Sequence, residues 1–205
     1  MRNIHYVKFA FFYVLGGYYL GGKKYSMAKK YFSKSVKQAD EKKSPWLTYD
    51  LYIKLAGVCV NLEQNAEAAI YLERSLAIHG RLKFKKDDSK YKLNLILNLA
   101  TLYKDTQNET KRYEWLTQAL QLVRTNADAT GWLDSASLYV QLFDWSLKNK
   151  DYDSTNRYYH EMKRIFSRLP APSGSNQSDH NHYIRLQRYI EEIDAQVQAS
   201  PNLIN

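Results

Sequence analysis

Residues 12–35 read FYVLGGYYLGGKKYSMAKKYFSKS, and this stretch decides the fold. Its apolar and small residues form two groups spaced three and four residues apart, as on one helix face, with Gly21-Gly22 between them. The groups are Phe12, Leu15, Gly16 and Tyr19, then Tyr25, Ala28, Phe32 and Ser35. A small residue such as Gly16 or Ala28 lets a neighbouring helix come close. The pattern therefore predicts two helices packed against each other.

The same paired pattern returns three times further along the chain. The second copy has Tyr52, Leu55, Ala56 and Cys59 with Ala68, Leu72 and Ser75; the third has Ile96, Leu99, Ala100 and Tyr103 with Leu116 and Ala119; the fourth has Tyr139 and Leu142 with Tyr152, Tyr159 and Met162. Matching positions lie 40, 44 and 43 residues apart, from Gly16 to Ala56, Ala100 and Phe143. One pair cannot bury its own apolar face, so the repeat predicts a stack of pairs.

These residues resemble the tetratricopeptide repeat family over roughly residues 8–166. The family's usual period is about 34 residues, so the copies here are lengthened, in the style of bacterial regulator and sensor domains. In the fourth copy, Phe143 and Thr155 stand where a small residue is expected. The resemblance implies an all-α fold, a right-handed α-α solenoid of four helix pairs plus a C-terminal capping helix, in a single domain over residues 1–205. The pairs are expected at about 8–43, 45–80, 88–125 and 128–167, and the capping helix at about 180–199.

The resemblance also supplies candidate binding residues, because the first helix of each pair in this family lines a concave groove. The candidates are Tyr13, Asp50, Lys54, Asn94, Asn98, Thr101, Gln141 and Asp144, with Gly17, Ile53, Leu97 and Val140 at the remaining groove positions. Asn94 and Asn98 are four residues apart and point the same way. Their amides can pair with both polar groups of a peptide backbone, while the charged candidates would add charge selection. The alternative is that these polar residues only face water.

The carboxylate clamp of chaperone-binding family members is a more specific possibility. It needs basic residues and asparagines at set groove positions in successive first helices. The positions here hold Tyr13, Gly17, Lys54, Asn94 and Asn98, of which only Lys54 is basic. Binding to chaperone C-terminal tails is therefore rejected as the leading interpretation.

The net charge of +9 is concentrated at one end of the chain. Residues 1–43 contain ten Lys or Arg and two acidic residues, which leaves a net charge of +8 there. Lys23, Lys30, Lys34 and Lys37 fall on one stripe of the second predicted helix. We interpret this stripe as a solvated outer face. The alternative is a surface for an acidic partner, nucleic acid or an anionic membrane.

Residues that carry chemistry are sparse. The sequence lacks a Gly-rich phosphate loop, a Gly-x-Ser-x-Gly elbow and a His-Glu-x-x-His motif. We interpret His180 and His182 as exposed loop histidines, because their spacing suits one metal ion poorly. Cys59, the only cysteine, fits a buried apolar position. The expectation is no enzymatic activity, no metal and no cofactor.

The predicted function follows from the repeat. Residues 9–20 loosely imitate a signal peptide, but they carry the repeat pattern in full and are too short to span a membrane. We expect a non-enzymatic module that binds a protein or peptide segment in the groove, as a scaffold or sensor in a larger regulatory protein. The alternative is an electrostatic binder of nucleic acid or anionic membrane through the basic first pair. The oligomeric state stays open, and the cytoplasm is the favoured compartment.

Overall fold

The computed structural model describes residues 2–38, 44–82, 88–126, 132–168 and 177–199. Within these ranges the chain forms nine α-helices and no strand. The helices are α1 (Arg2–Gly21), α2 (Tyr25–Val36), α3 (Pro45–Asn61), α4 (Asn65–His79), α5 (Ser89–Asp105), α6 (Glu109–Thr125), α7 (Trp132–Lys148), α8 (Tyr152–Phe166) and α9 (Gln177–Ala199). The all-α prediction is confirmed for this part of the chain.

The first eight helices follow one another in twos, with three residues between the members of each pair. Helix α1 packs against α2, α3 against α4, and α7 against α8, while α2 also packs against α3. The helix pairing that the sequence predicts is therefore present.

The turns inside the four pairs share one backbone geometry. Each contains a residue with a positive φ of 54–59°, and these residues are Lys23, Glu63, Gln107 and Lys150. The next residue donates its N–H to the carbonyl five residues earlier at 2.9 Å in every case, namely Lys24 to Tyr19, Gln64 to Cys59, Asn108 to Tyr103 and Asp151 to Ser146. This is the Schellman arrangement that ends a helix. The left-handed residues are 40, 44 and 43 positions apart, so the sequence repeat recurs in the backbone.

Glycine does not supply the left-handed residue at the end of α1 or α4. Helix α1 ends at Gly21 as predicted, but the Gly22 N–H still bonds the Tyr18 carbonyl at 3.2 Å, and the left-handed residue is Lys23. Gly80 follows the end of α4 with a φ of −61°, which is right-handed. The two helix ends lie where the glycines predict them, although the conformational freedom of glycine is not what ends either helix.

The helix starts differ in how they are capped. Pro45 begins α3, but the Ser44 hydroxyl before it makes no capping hydrogen bond. Asp151 does cap α8, since its Oδ1 accepts the Ser154 N–H at 3.1 Å. Helix α2 ends at Val36, earlier than the expected residue 40, and α9 begins at Gln177, three residues before the expected start. The expected start of the fourth pair near residue 128, and residues 170–176 between this pair and the closing helix, lie outside the described residues.

The chain divides into two compact units. The first comprises Met1–Lys86 and Asn98–Arg112, and the second comprises Asp87–Leu97 and Tyr113–Asn205. Helices α5 and α6 therefore contribute residues to both units. The single domain expected for residues 1–205 stays a prediction.

Small residues allow close packing in the first unit. Ala28 and Ala68 are fully buried, and Ala56 is nearly so. A Cβ atom added to Gly16 would lie only 2.5 Å from Cε1 of Phe32, whose ring is itself fully buried. The backbones of α1 and α2 can approach this closely because position 16 has no side chain.

The third pair breaks the small-residue pattern. The position equivalent to Ala28 and Ala68 is Arg112, which is only 1% exposed. Its Nη1 donates to Glu109 Oε2 at 3.2 Å. The spacing of small residues does not predict a buried arginine at this position. A buried guanidinium needs a carboxylate close by, and Glu109 supplies one from the same helix.

Helix α9 covers the last pair in the second unit. It packs against α7 and buries Leu186, Ile190 and Ile193. The ring of its Tyr183 stacks on Phe166 of α8 with centroids 5.0 Å apart. The closing helix predicted from the sequence is thus present and buries its apolar side.

Candidate binding surface

Three predicted groove residues meet in the first unit. The Tyr13 hydroxyl of α1 donates to Asp50 Oδ2 of α3. Lys54 Nζ, one turn further along α3, donates to Asp50 Oδ1 at 3.1 Å and lies 5.9 Å from the Tyr13 ring centroid. Burial, and then the hydrogen bond to Asp50, raise the pKa of Tyr13 well above its usual range. Asp50 and Lys54 compensate each other's charge, which weakens the expectation that they select a ligand by charge.

The same combination of tyrosine, carboxylate and lysine occurs in three further clusters that join neighbouring helices. Glu67 accepts from Lys29 (2.5 Å) and Tyr71 (3.1 Å); Glu73 accepts from Lys111 (2.9 Å) and Tyr103 (2.6 Å); Asp194 accepts from Lys163 (2.8 Å) and Tyr159 (2.9 Å). Several of the 18 tyrosines thus have a structural role.

The pKa shifts in these clusters follow from burial and hydrogen bonding. Burial, followed by the bond to Glu67, raises the pKa of Tyr71 to about 12. The hydrogen bond from Lys29 lowers the pKa of Glu67. Burial raises the pKa of the Cys59 thiol to about 11 and also raises that of Tyr139. A raised pKa keeps these groups protonated, so none of these hydroxyls or thiols gains nucleophilic character.

Three other groove candidates line one face of α5. Asn94, Asn98 and Thr101 follow the i, i+4, i+7 spacing of one helix face, and all three are exposed. Leu93 and Ala100, each next to one of these residues in the sequence, are fully buried. Leu97, which also occupies a groove position, is buried rather than open to a ligand. This face of α5 therefore presents amide and hydroxyl groups outward.

The candidates on α7 belong to the second unit, where Gln141 and Asp144 are half-buried. Asp144 Oδ1 accepts a hydrogen bond from the Tyr189 hydroxyl of α9. This carboxylate therefore links α7 to the closing helix α9.

The sequence predicts that the two C-terminal histidines lie in an exposed loop, but the structure places both of them in a helix. His180 and His182 lie on α9 and are half-buried, and His182 Nε2 lies 2.8 Å from the Ser137 hydroxyl of α7. The interpretation as exposed loop histidines was wrong, because both residues lie within the helix and one side of it is buried. The described ranges contain no group of three or more His, Cys, Asp or Glu side chains placed to hold a metal ion.

A shallow depression of about 290 Å³ lies between α5 and α6 in the second unit. Its lining consists of Lys92, Ile96, Gln118, Gln121, Leu122 and Thr125. None of the predicted groove residues lines it. Its four α6 residues have the three- and four-residue spacing of one helix face, which is the sequence signal that could have indicated it.

Large apolar side chains are exposed along α1. Val7, Phe11, Val14 and Tyr18, here called the outer stripe, are 61%, 58%, 66% and 75% exposed. Their spacing of four, three and four residues places them on one face. The sequence contains a signal for this stripe, because α1 is apolar on nearly all sides. A helix of this kind is normally buried all round, so an uncovered face on it is unusual. Over the residues that the structure describes, no helix has both the length and the hydropathy needed to cross a membrane.

The similarity of this chain to known proteins is a similarity of fold. The structure is similar to the crystal structure of BtubC (BKLC) from P. vanneervenii, with a TM-score of 0.60 and 16% sequence identity over 94% of this chain and 78% of that chain. No protein family and no curated protein matches the sequence. The all-helical structure is therefore consistent with a helical repeat, the type of fold that this structural neighbour has.

Proposed function

We propose that this chain is a tetratricopeptide-like module that binds a protein or peptide segment and has no enzymatic activity. In this proposal the helices form a right-handed solenoid of four pairs with α9 as the cap. Four equivalent Schellman turns at the spacing of the sequence repeat support this arrangement. A module of this kind acts as a scaffold or sensor within a larger regulatory protein.

The observation that carries the proposal is the exposed face of α5. Asn94 and Asn98 are one helical turn apart, which separates their Cβ atoms by about 5–6 Å. An extended peptide presents equivalent backbone groups about every 6.6–6.8 Å, because its repeat is two residues. Each amide has N–H donors and a carbonyl acceptor. Two such side chains can hold an extended segment whatever its side chains are, and Thr101 adds a hydroxyl on the same face.

The ionisable groups also favour binding over catalysis. The lysines and carboxylates of the four clusters neutralise one another, and the affected tyrosines are held protonated. General acid–base catalysis near neutral pH needs a group whose pKa lies near that pH. These clusters move the pKa values of their tyrosines further from neutrality.

Isothermal titration with an arrayed library of short peptides tests the proposal on Asn94→Ala and Asn98→Ala variants. Each substitution should weaken binding about 3- to 10-fold, the usual value of one hydrogen bond. Gln118→Ala is the matched control, because it removes an exposed amide from α6. Equal affinity of the wild type and both Asn variants would remove the α5 site, and a loss in Gln118→Ala alone would move it to the depression.

A second candidate is the electrostatic binder. Residues 2–38 contain no acidic residue, and six lysines there are exposed, namely Lys8, Lys23, Lys24, Lys30, Lys34 and Lys37. This candidate predicts that affinity for nucleic acid or anionic vesicles falls steeply as salt concentration rises. Gel-shift and vesicle sedimentation assays at low salt test it, and the absence of binding in both dismisses it.

A further inference from the structure

Phe11 and Tyr18 of the outer stripe occupy repeat positions that are buried in the second and third pairs, while the fourth pair has a half-buried Trp145 at the Tyr18 position. The next copy places Leu51 and Val58 there, on α3, and both are fully buried. The later equivalents Leu95, Leu102 and Leu138 are 4%, 6% and 0% exposed. Helix α2 packs against α3. In this fold, then, these positions lie under a neighbouring helix, and α1 presents the same positions uncovered.

A row of aromatic rings connects Phe11 and Tyr18 of the outer stripe, and a lysine lies beside the middle of this row. The ring centroids of Phe11 and Phe12 are 5.6 Å apart, those of Phe12 and Tyr31 6.4 Å, those of Tyr31 and Tyr19 5.3 Å, and those of Tyr19 and Tyr18 5.5 Å. Lys34 Nζ lies 5.4 Å from the Phe12 ring and 5.6 Å from the Tyr31 ring. The apolar surface is thus bordered by positive charge on the α2 side.

Charge decides between possible occupants of this surface. Helices α1 and α2 contain no Asp or Glu, while Lys8, Lys30 and Lys34 are exposed on them and Lys37 is exposed directly after α2. A second copy of the chain would bring two such lysine sets together, which is unfavourable. A helix bordered by carboxylates would match both the apolar stripe and the charge around it.

We propose that the outer stripe binds an amphipathic helix of a partner protein, with an apolar face on Phe11 and Tyr18 and with Asp and Glu along its borders. This helix lies on α1 as α2 lies on α3. The surface is distinct from the α5 face, so Asn94 and Asn98 take no part in it. The proposal therefore stands or falls independently of the peptide groove.

The test uses two synthetic amphipathic helices matched to the 20-residue length of α1, with the same leucine face and either Glu or Lys at its borders. Fluorescence anisotropy should show binding of the Glu-bordered peptide to the full chain. The double variant Phe11→Ser/Tyr18→Ser should weaken binding at least about tenfold, because two aromatic anchors are lost. Val60→Ser, an exposed apolar residue on α3 at 46%, is the matched control and should leave affinity unchanged.

Charge reversal gives a second, independent readout. In Lys30→Glu/Lys34→Glu the preference should change from the Glu-bordered to the Lys-bordered peptide. Circular dichroism confirms that each variant keeps its helices. Three results overturn the proposal: equal binding of both peptides to the wild type, binding of phosphatidylserine vesicles but of neither peptide, and self-association in sedimentation that the Phe11→Ser/Tyr18→Ser variant abolishes. Loss of peptide binding in Asn94→Ala would instead place the peptide on the α5 face.

Discussion

The first and last helix pairs differ in what covers them. In the last pair, α9 lies against α7 and buries Leu186, Ile190 and Ile193. In the first pair, the outer stripe of α1 is left 58–75% exposed. Both pairs end their first helix with the same Schellman turn. The two pairs therefore differ in whether another helix covers their apolar side, and in repeat folds an uncovered apolar side needs a cap or a partner.

The two pairs also use similar polar attachments. Lys29 of α2 reaches Glu67 of α4, and Lys163 of α8 reaches Asp194 of α9, and each carboxylate also accepts a tyrosine hydroxyl. Since polar links of the same kind occur at both pairs, we attribute the difference between them to apolar contacts. Substitutions placed on the two surfaces should then have very different costs.

The largest expected effect comes from placing a carboxylate under the closing helix. Ile190→Asp should reduce the free energy of unfolding by at least about 3 kcal/mol, because a buried position loses its apolar contacts and gains an unpaired charge. Val14→Asp, the same change of residue class on the outer stripe, should alter it by no more than about 0.5 kcal/mol. Urea unfolding followed by circular dichroism measures both. Equal losses would show that the outer stripe is covered in solution.

A smaller effect distinguishes the inner face of α1 from its exposed face. Gly16→Ala should destabilise the chain by about 1–3 kcal/mol, because the new Cβ would lie 2.8 Å from Cγ of Phe32 and closer still to other ring atoms. Gly17→Ala is the matched control, since a Cβ there meets no atom within 4 Å. It should stabilise the helix by about 0.5–1 kcal/mol. Stabilisation by both substitutions would mean that α1 is not closely packed on α2.

Much of the fold could be predicted, because the size and spacing of the residues show the repeat directly. Gly16, Ala28, Ala56 and Ala68 indicate where helices approach, and the structure confirms helix pairs there. Arg112 could not be predicted, because its burial depends on Glu109 and on packing that spacing does not encode. The repeat positions proved more informative than the glycines, since they recur at the same intervals as the four left-handed turn residues.

The candidate site was harder to predict than the fold. Groove positions could be assigned from the resemblance, and Asn94 and Asn98 are exposed as a binding role requires. The pairing of Asp50 with Tyr13 and Lys54 depends on contacts between side chains of different helices. A single sequence does not show such contacts. The outer stripe was not predicted, because the repeat pattern considers only the residues of α1 that face α2.

The smallest expected effect concerns the polar attachment of the first pair and depends on pH. Glu67 has a pKa below its usual value of 4.5 in the folded chain, because Lys29 donates to its carboxylate. This pair therefore contributes stability above that pH, and the contribution is lost as pH falls through the lowered folded-state value. Glu67→Gln should cost no more than about 1 kcal/mol at pH 7, since the carboxylate is 39% exposed.

The pH dependence of stability distinguishes the charge interaction between Glu67 and Lys29 from the packing of the Glu67 side chain. Only the wild type can lose a charge at this site, so the urea midpoints of the wild type and Glu67→Gln should converge as pH falls from 5 into the acidic range. The difference between the two midpoints should be largest near neutral pH. Glu114→Gln, which removes an exposed carboxylate from α6, is the matched control and should follow the wild type throughout. Asp194→Asn should show a similar loss at pH 7, because its carboxylate also accepts from one lysine and one tyrosine. A much larger loss for Asp194→Asn would show that polar contacts, and not only apolar cover, distinguish the last pair from the first.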